Sequence, residues 1–464
     1  MVLGPCASPN VLQAFAGLAG QTGAVWLDSA KGGRLSLLAA DPIAVQTWSH
    51  RCPEGTGKDP FDGLRRLARL AARGLDIPPR LGIAGPVIGM LGYELGGRLE
   101  RLPAPHLAGV DMPDFWAALY DTLAVYDHSA AQLWIVSNGL PETDPKAQQT
   151  RAAWRAEDFY QKLCEHAGRD ADCPAPVPAL PWRAERTRAD HEAAVAAAIA
   201  HIHAGDIYQA NITQRFIAER PANYDLFALY RRLRTLSPAP MGGFLNLGDG
   251  RALLSASPER FLRADAAGSV ETSPIKGTRP RGATAAADQA EAEALCRSDK
   301  DRAENLMIVD LLRNDLARVC APGSIAVPEL CALHSFQSVH HLVSTVTGRL
   351  RAECDTIDLL MASFPGGSIT GAPKIRAMEI IRDLEPARRG PYCGSLFALG
   401  GDGALDSNIL IRTIVADDKQ LVAQAGGGII ADSDPSAEYE ESLTKVAALL
   451  RAGDDGCDPM ALRA

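Results

Sequence analysis

The sequence predicts an α+β fold. Two observations carry the class. Strand-like stretches at residues 207–216, 251–261, 269–274 and 396–415 recur in meanders, without the regular alternation of a doubly wound parallel sheet. Helices are set apart from them. The two longest in the C-terminal half, residues 299–319 and 435–450, open on Ser298 and on Asp434 with Pro435, which are residues suited to helix starts.

At 464 residues the chain exceeds one ordinary core, which implies two or three domains or one elaborate one. Pro174, Pro176, Pro178 and Pro181 mark residues 167–182 as a linker, because alternating prolines favour extended backbone. It divides an N-terminal region, 1–166, from a C-terminal region, 183–452. A net charge of −9 argues against nucleic acid as the main partner, since phosphate binding needs a basic field. No apolar run reaches the roughly 18 residues of a membrane span, and the first ten residues lack the pattern of a signal peptide. Ten cysteines with no C-x-x-C pair suit reduced thiols and a cytoplasmic location.

The C-terminal region opens with Thr187 and Asp190 in capping-box spacing, then a helix with Val195, Ile199 and Ile202 on one face and Gly205 at its end. In the strand that follows, Gln209, Asn211, Thr213 and Arg215 share a face. Such a face meets water or lines a polar site, and water is the simpler expectation. Residues 396–415 read as a hairpin around Gly400–Gly403.

Chemistry concentrates further on. In PIKGTRPRG, residues 274–282, Lys276 sits in a Pro/Gly-bracketed segment with Arg279 and Arg281 behind it, suited to an anionic small molecule. Neighbouring cations should depress its pKa and free the amine as a nucleophile. Asp301 and Glu304 share a face of one helix, as do Glu438, Glu441 and Lys445 of the last. Each pair alone reads as a solvated helix face; together they could form a carboxylate cage for Mg²⁺. The Gly-rich turn of FPGGSITGAPK, residues 364–374, offers backbone N–H groups to an anion. Gly426, Gly427 and Gly428 read as a turn that admits close approach of a ligand. Glu259 is a candidate general acid. His340 and His341 fit ordinary half-buried histidines. Arg412, ending an apolar run, is either paired with a buried acid or aimed at a ligand carboxylate.

These strings, with SASPERF, HHLVSTVTG, RGPYCGSLFALG and AGGGIIADSDPSAEYEESLTKV, resemble the chorismate-utilising enzymes over about residues 187–449. The N-terminal region resembles them less sharply, through GMLGYE and DMPDFWAALYD. Lysine at 276, where anthranilate synthases typically carry alanine, points to the branch that forms aminodeoxychorismate. The resemblance implies an α+β fold of orthogonally packed β-sheets flanked by helices, and amination of chorismate with Mg²⁺, bound directly by Glu304 and Glu441 with Asp301 and Glu438 outside them. It implies that Lys276 attacks ring C2 while Glu259 protonates the departing C4 hydroxyl. Arg412, Tyr392 and the Gly426–Gly428 N–H groups would hold the enolpyruvyl carboxylate, and Gln209, Gly277, Thr278, His341 and Lys445 would lie near the substrate. Ammonia would come from a separate glutamine amidotransferase subunit, because no Cys-centred nucleophile elbow is present. Trp26–Ser29 stands about where anthranilate synthases carry an inhibitory tryptophan pocket, with Asp28 and Trp26 altering it.

Overall fold

The computed structural model describes residues 2–6, 10–30, 32–51, 59–73, 86–167, 177–335 and 339–454. Two antiparallel sheets, one of 12 strands and one of 10, form the centre. In the first, Val2–Cys6, Gln132–Ser137, Thr122–Asp127, Leu35–Ala39 and Val25–Asp28 lead, edge to edge, into Gly242–Gly248, Arg251–Ser255, Thr413–Ala416, Gln420–Ile429 and Gln209–Glu219. The second runs Ile275–Pro280, Val339–Arg349, Ser269–Thr272, Arg260–Ala264, Leu405–Asn408, Ser395–Leu399, Val87–Leu91, Phe115–Leu119 and Ala44–Trp48.

The inner faces meet in a core that joins Val25, Leu245 and Val415 of the first sheet to Met90, Trp116 and Leu396 of the second. Helices cover the outer faces. Leu226–Leu236 and Pro435–Ala452 bury Phe227, Tyr230, Leu443 and Val446 against the first sheet. Pro60–Ala71, Asp299–Ala317 and Thr356–Ser363 bury Leu64, Val309 and Leu360 against the second. The order is helix, sheet, sheet, helix, which is the mixed α+β class.

Both sheets draw strands from both sides of the proline-rich segment. Val25–Asp28 pairs with Gly242–Gly248, and Val87–Leu91 with Ser395–Leu399, so the division of the chain into 1–166 and 183–452 is one of sequence. Residues 168–176 of the linker lie outside the described residues. Its end is packed, with Val177 and Leu180 buried in the first core and Leu180 N–H donating to the Gly453 carbonyl.

The expected helix starts are present. Thr187 and Asp190 form a full capping box on Arg188–His203, Ser298 caps Asp299–Ala317, and Asp434 accepts from Ala437 N–H ahead of Pro435. The hairpin is shorter than expected. Ser395–Leu399 and Leu405–Asn408 pair, and the chain then crosses to the other sheet, with Arg412 at φ +52° just before Thr413–Ala416.

Candidate active site

A cavity of about 830 Å³ opens between the two sheets' ends and the helices that bear the acidic pairs. That is ample for a small substrate, since such sites run to roughly 300–1,000 Å³. A second hollow beside Tyr93 and Met378, about 60 Å³, has room for a few waters only.

Lys276 lies on a strand, Ile275–Pro280, and not in a loop. The pairing with Val339–Arg349 slips between Lys276 and Thr278, leaving Gly277 as an extra residue at φ +78°. A side chain there is strained, and its Cβ would lie 3.0 Å from Leu295 and Asp301. The bulge sends Lys276 into the cavity, where Nζ donates to the Ser368 carbonyl at 3.1 Å and meets Glu304 Oε1 at 2.9 Å. The expected crowding by arginines is absent. Arg279 reaches Asp301 at 3.5 Å and Arg281 pairs with Asp288. Burial acts to lower the Lys276 pKa, but Glu304, then Glu259 and Glu441, overcome it and hold it above the ordinary value. As it stands, Lys276 is an ammonium.

Glu259 lines the same cavity and is nearly inaccessible. Burial raises its pKa, outweighing the Ser368 hydroxyl, Lys276 and the Ile275 N–H. A raised carboxyl pKa is the direction a general acid requires. Glu304 behaves oppositely. Burial pushes its pKa up, yet Lys276, Lys445 and Gln209 hold it below the usual range.

Gly426, Gly427 and Gly428 belong to a strand, Gln420–Ile429, and do not form a turn. They lie opposite Thr213, Ile212 and Asn211, and their lack of side chains makes room for carboxylates. A Cβ on Gly427 would lie 2.7 Å from Glu438 Oε2 and 3.7 Å from Glu441 Oε1; one on Gly428 would lie 2.7 Å from Glu304 Oε1. Two helices thus aim three carboxylates at one glycine strand. Among the described residues no three acid, His or Cys side chains are gathered closely enough to hold an ion as they stand. Protein cations take their oxygens instead: Lys276 on Glu304, and Lys445 on Glu441 at 2.6 Å. An all-oxygen donor set that already attracts cations fits a hard divalent ion. Asp301 stands a turn earlier, against Gly277. Glu438 is buried, with its pKa raised by burial and by Glu441, and accepts from Ser433 Oγ at 2.8 Å.

Arg412 lines the cavity, and its guanidinium has no ion pair or hydrogen bond among the described residues. The choice left open by the sequence falls against a buried acid partner. Tyr392, Thr278 and His341 also line the wall, with Thr278 Oγ1 2.9 Å from His341 Nδ1. His340 is structural, held between Ser335 and Asp288.

The polar strand face does not meet water. Gln209, Asn211, Thr213 and Arg215 are all buried. Gln209 stands behind the wall, its Nε2 donating to Glu304 Oε1 at 2.8 Å. Thr213 donates to Glu385, and Arg215 pairs with Glu185. The Gly-rich segment 364–374 also serves differently from expectation: it supplies the Ser368 carbonyl to Lys276. Sequence reasoning missed Asn211, Gln424, Ser368 and Lys300, all in the cavity wall. Gln424 had a signal, since strand alternation puts it on the face of Gly426 and Gly428.

Comparison with known proteins fits this geometry. The family described as chorismate binding enzyme matches residues 22–451, and the chain belongs to it. It is 44% identical over 377 residues to aminodeoxychorismate synthase component 1 of Klebsiella aerogenes, covering 80% of this chain and 78% of that one. It is 40% identical over 400 residues to the Escherichia coli protein of the same name, covering 85% and 83%. Anthranilate synthase component 1 of Streptomyces coelicolor is also 40% identical, over 86% of this chain and 78% of its own. Among solved structures, anthranilate synthase component I from Streptococcus pneumoniae superposes with a TM-score of 0.80 at 29% identity, covering 91% of this chain and 93% of that one. Identity alone therefore leaves the branch to particular residues.

Proposed function

We propose that this enzyme aminates chorismate to 4-amino-4-deoxychorismate, in the cytoplasm, with Mg²⁺ and with ammonia from a partner glutamine amidotransferase. The observation that carries the reading is Lys276 and the buried Glu259 lining one cavity, close enough that each shifts the other's pKa. A nucleophilic amine opposite an acid suits displacement of a hydroxyl. As a free amine, its proton given up to solvent, Lys276 Nζ bonds to ring C2 while both ring double bonds shift, C1=C2 to C1=C6 and C5=C6 to C4=C5, and the C4–O bond breaks. Glu259 gives that oxygen its proton, and water leaves. Ammonia then bonds to C4, both double bonds shift back, the C2–Nζ bond breaks to return the lysine as an amine, and the new ammonium group's surplus proton restores the Glu259 carboxyl.

The Arg412 guanidinium, unpaired among the described residues and near Tyr392, suits one carboxylate of a dicarboxylate substrate. Glu304 and Glu441 would hold Mg²⁺ with Asp301 and Glu438 around them; when bound, the ion neutralises the ring carboxylate. Gly277, Thr278, His341, Gly426, Gly428 and Lys445 would shape the pocket, with Gln209 and Gly427 behind them. Mass spectrometry after incubation with chorismate, Mg²⁺ and ammonium salt tests the reading. The aminated, non-aromatic product is expected. Anthranilate with pyruvate would replace the proposal with the neighbouring branch.

A further inference from the structure

Each carboxylate of the proposed metal site is already held by a cation of the protein. Lys276 Nζ lies 2.9 Å from Glu304, Lys445 Nζ 2.6 Å from Glu441, Lys300 Nζ 3.7 Å from Glu438, and Arg279 Nη2 3.5 Å from Asp301. The pairs are unequal. The side chains of Lys276 and Glu304 are 11% and 13% exposed, whereas Lys445 and Glu441 are 32% and 51% exposed. Exposed partners can fall back on water; a buried pair cannot separate without a replacement charge. Glu304 Oε1 also accepts from Gln209 Nε2, so that oxygen is fully engaged. A metal ion reaching it has to displace a donor, and Lys276 is the charged one.

We propose that Lys276 and the divalent cation compete for Glu304, so that metal binding exchanges one cation for another and releases the lysine into the substrate cavity. The inference rests on the reading of Glu304 as a metal ligand. The exchange keeps Glu304 neutralised throughout, which makes it cheap despite the burial. Once Glu304 is taken, the Ser368 carbonyl is the one hydrogen-bond partner left to the lysine among the described residues. The nucleophile is therefore locked in the metal-free enzyme and unlocked by the ion. Lys445 makes the same exchange at Glu441, but as a half-exposed pair it resists the ion less.

Calorimetric titration of Mg²⁺ into the full chain, without chorismate, tests this on the wild type and on Lys276→Met, Lys445→Met and Glu304→Gln. Methionine keeps the lysine stem's bulk and removes its charge. Competition predicts that Lys276→Met binds Mg²⁺ about tenfold more tightly than the wild type, within the usual span of coupling between two ligands. Lys445→Met should gain less, and Glu304→Gln should lose binding. Thermal melts give a second readout. In chelator, Lys276→Met should melt below the wild type, because Glu304 is buried without its partner, and Mg²⁺ should raise its Tm by more. Unchanged or weaker Mg²⁺ binding by Lys276→Met, while Glu304→Gln still loses it, overturns the competition and leaves the metal site standing. Equal binding by the wild type and Glu304→Gln overturns the metal reading itself. Should Lys276→Met fold poorly, Lys276→Gln carries the same comparison.

Discussion

Lys276 is the proposed nucleophile, and its strand, bulge and partner decide what replacing it does. Lys276→Ala should lower turnover with chorismate and ammonium by orders of magnitude while the circular dichroism spectrum stays that of the wild type, since the backbone pairing with Leu342 needs no side chain. Near-normal turnover would remove it as the nucleophile. Glu304→Gln and Glu441→Gln change charge at constant shape and should abolish Mg²⁺-dependent activity. Asp301→Asn and Glu438→Gln should cost about 10–100-fold, the usual range for groups that orient direct ligands. Activity titrated against Mg²⁺ in each variant is the measurement, and full activity of Glu304→Gln at ordinary Mg²⁺ would dismiss the cage. At this scale the sequence singled out a lysine that enters the cavity and misjudged its surroundings. Arg279 and Arg281 are near it in the chain, but each turns to its own acid, Asp301 or Asp288, whose helices the local string cannot reveal.

Elements were most legible where one end states itself. Ser298, Thr187 and Asp434 all cap the helices they were expected to cap, because a cap is a contact within four residues. What a helix packs against is less local, and His191 shows it. On the helix Arg188–His203 it is buried, its ring 5.8 Å from Tyr439 on the helix that carries Glu438 and Glu441. Burial, aided by Arg186, lowers its pKa to about 4. The neutral ring gives stability that is complete above pH about 6.5 and is lost as pH falls toward 4, because the unfolded chain takes up the proton first. At pH 5 the loss is about 2 kcal/mol. Urea midpoints at pH 7.5 and 5 should fall further in the wild type than in His191→Leu; equal falls would mean that His191 is not held neutral. The strand Val25–Asp28 gives a second case. Trp26 is buried in the first core, and Asp28 accepts from Tyr230 OH at 3.0 Å and Arg234 Nε at 2.6 Å. Protein groups already satisfy that carboxylate, so added tryptophan should not slow turnover. Strong inhibition in initial-rate assays would reveal a working site and favour the anthranilate branch.

At the scale of the whole molecule, the α+β class was legible and the division of the chain was not. The prolines of residues 167–182 look like a boundary because local composition favours extended backbone there, yet strand partners hundreds of residues apart leave no local trace. The same holds for the cavity, whose wall brings Asn211, Lys276, Ser368 and Gln424 together from four segments. The shared sheets carry a consequence for folding. A fragment of residues 183–464 would lack Val25–Asp28 and Val87–Leu91, and would bare the edges of Gly242–Gly248 and Ser395–Leu399 in mid-sheet. Unpaired, apolar edge strands of that kind associate with other chains. The core between the sheets would also lose Val25, Met90 and Trp116. Expressed alone, the fragment should aggregate or unfold without a cooperative transition, although it holds every proposed catalytic residue. Co-expressed with residues 1–176, it should recover as a soluble complex that turns over chorismate with ammonium. A fragment that melts cooperatively by itself would show that the catalytic region is an independent domain, and that the strands shared between the two regions are dispensable to its core.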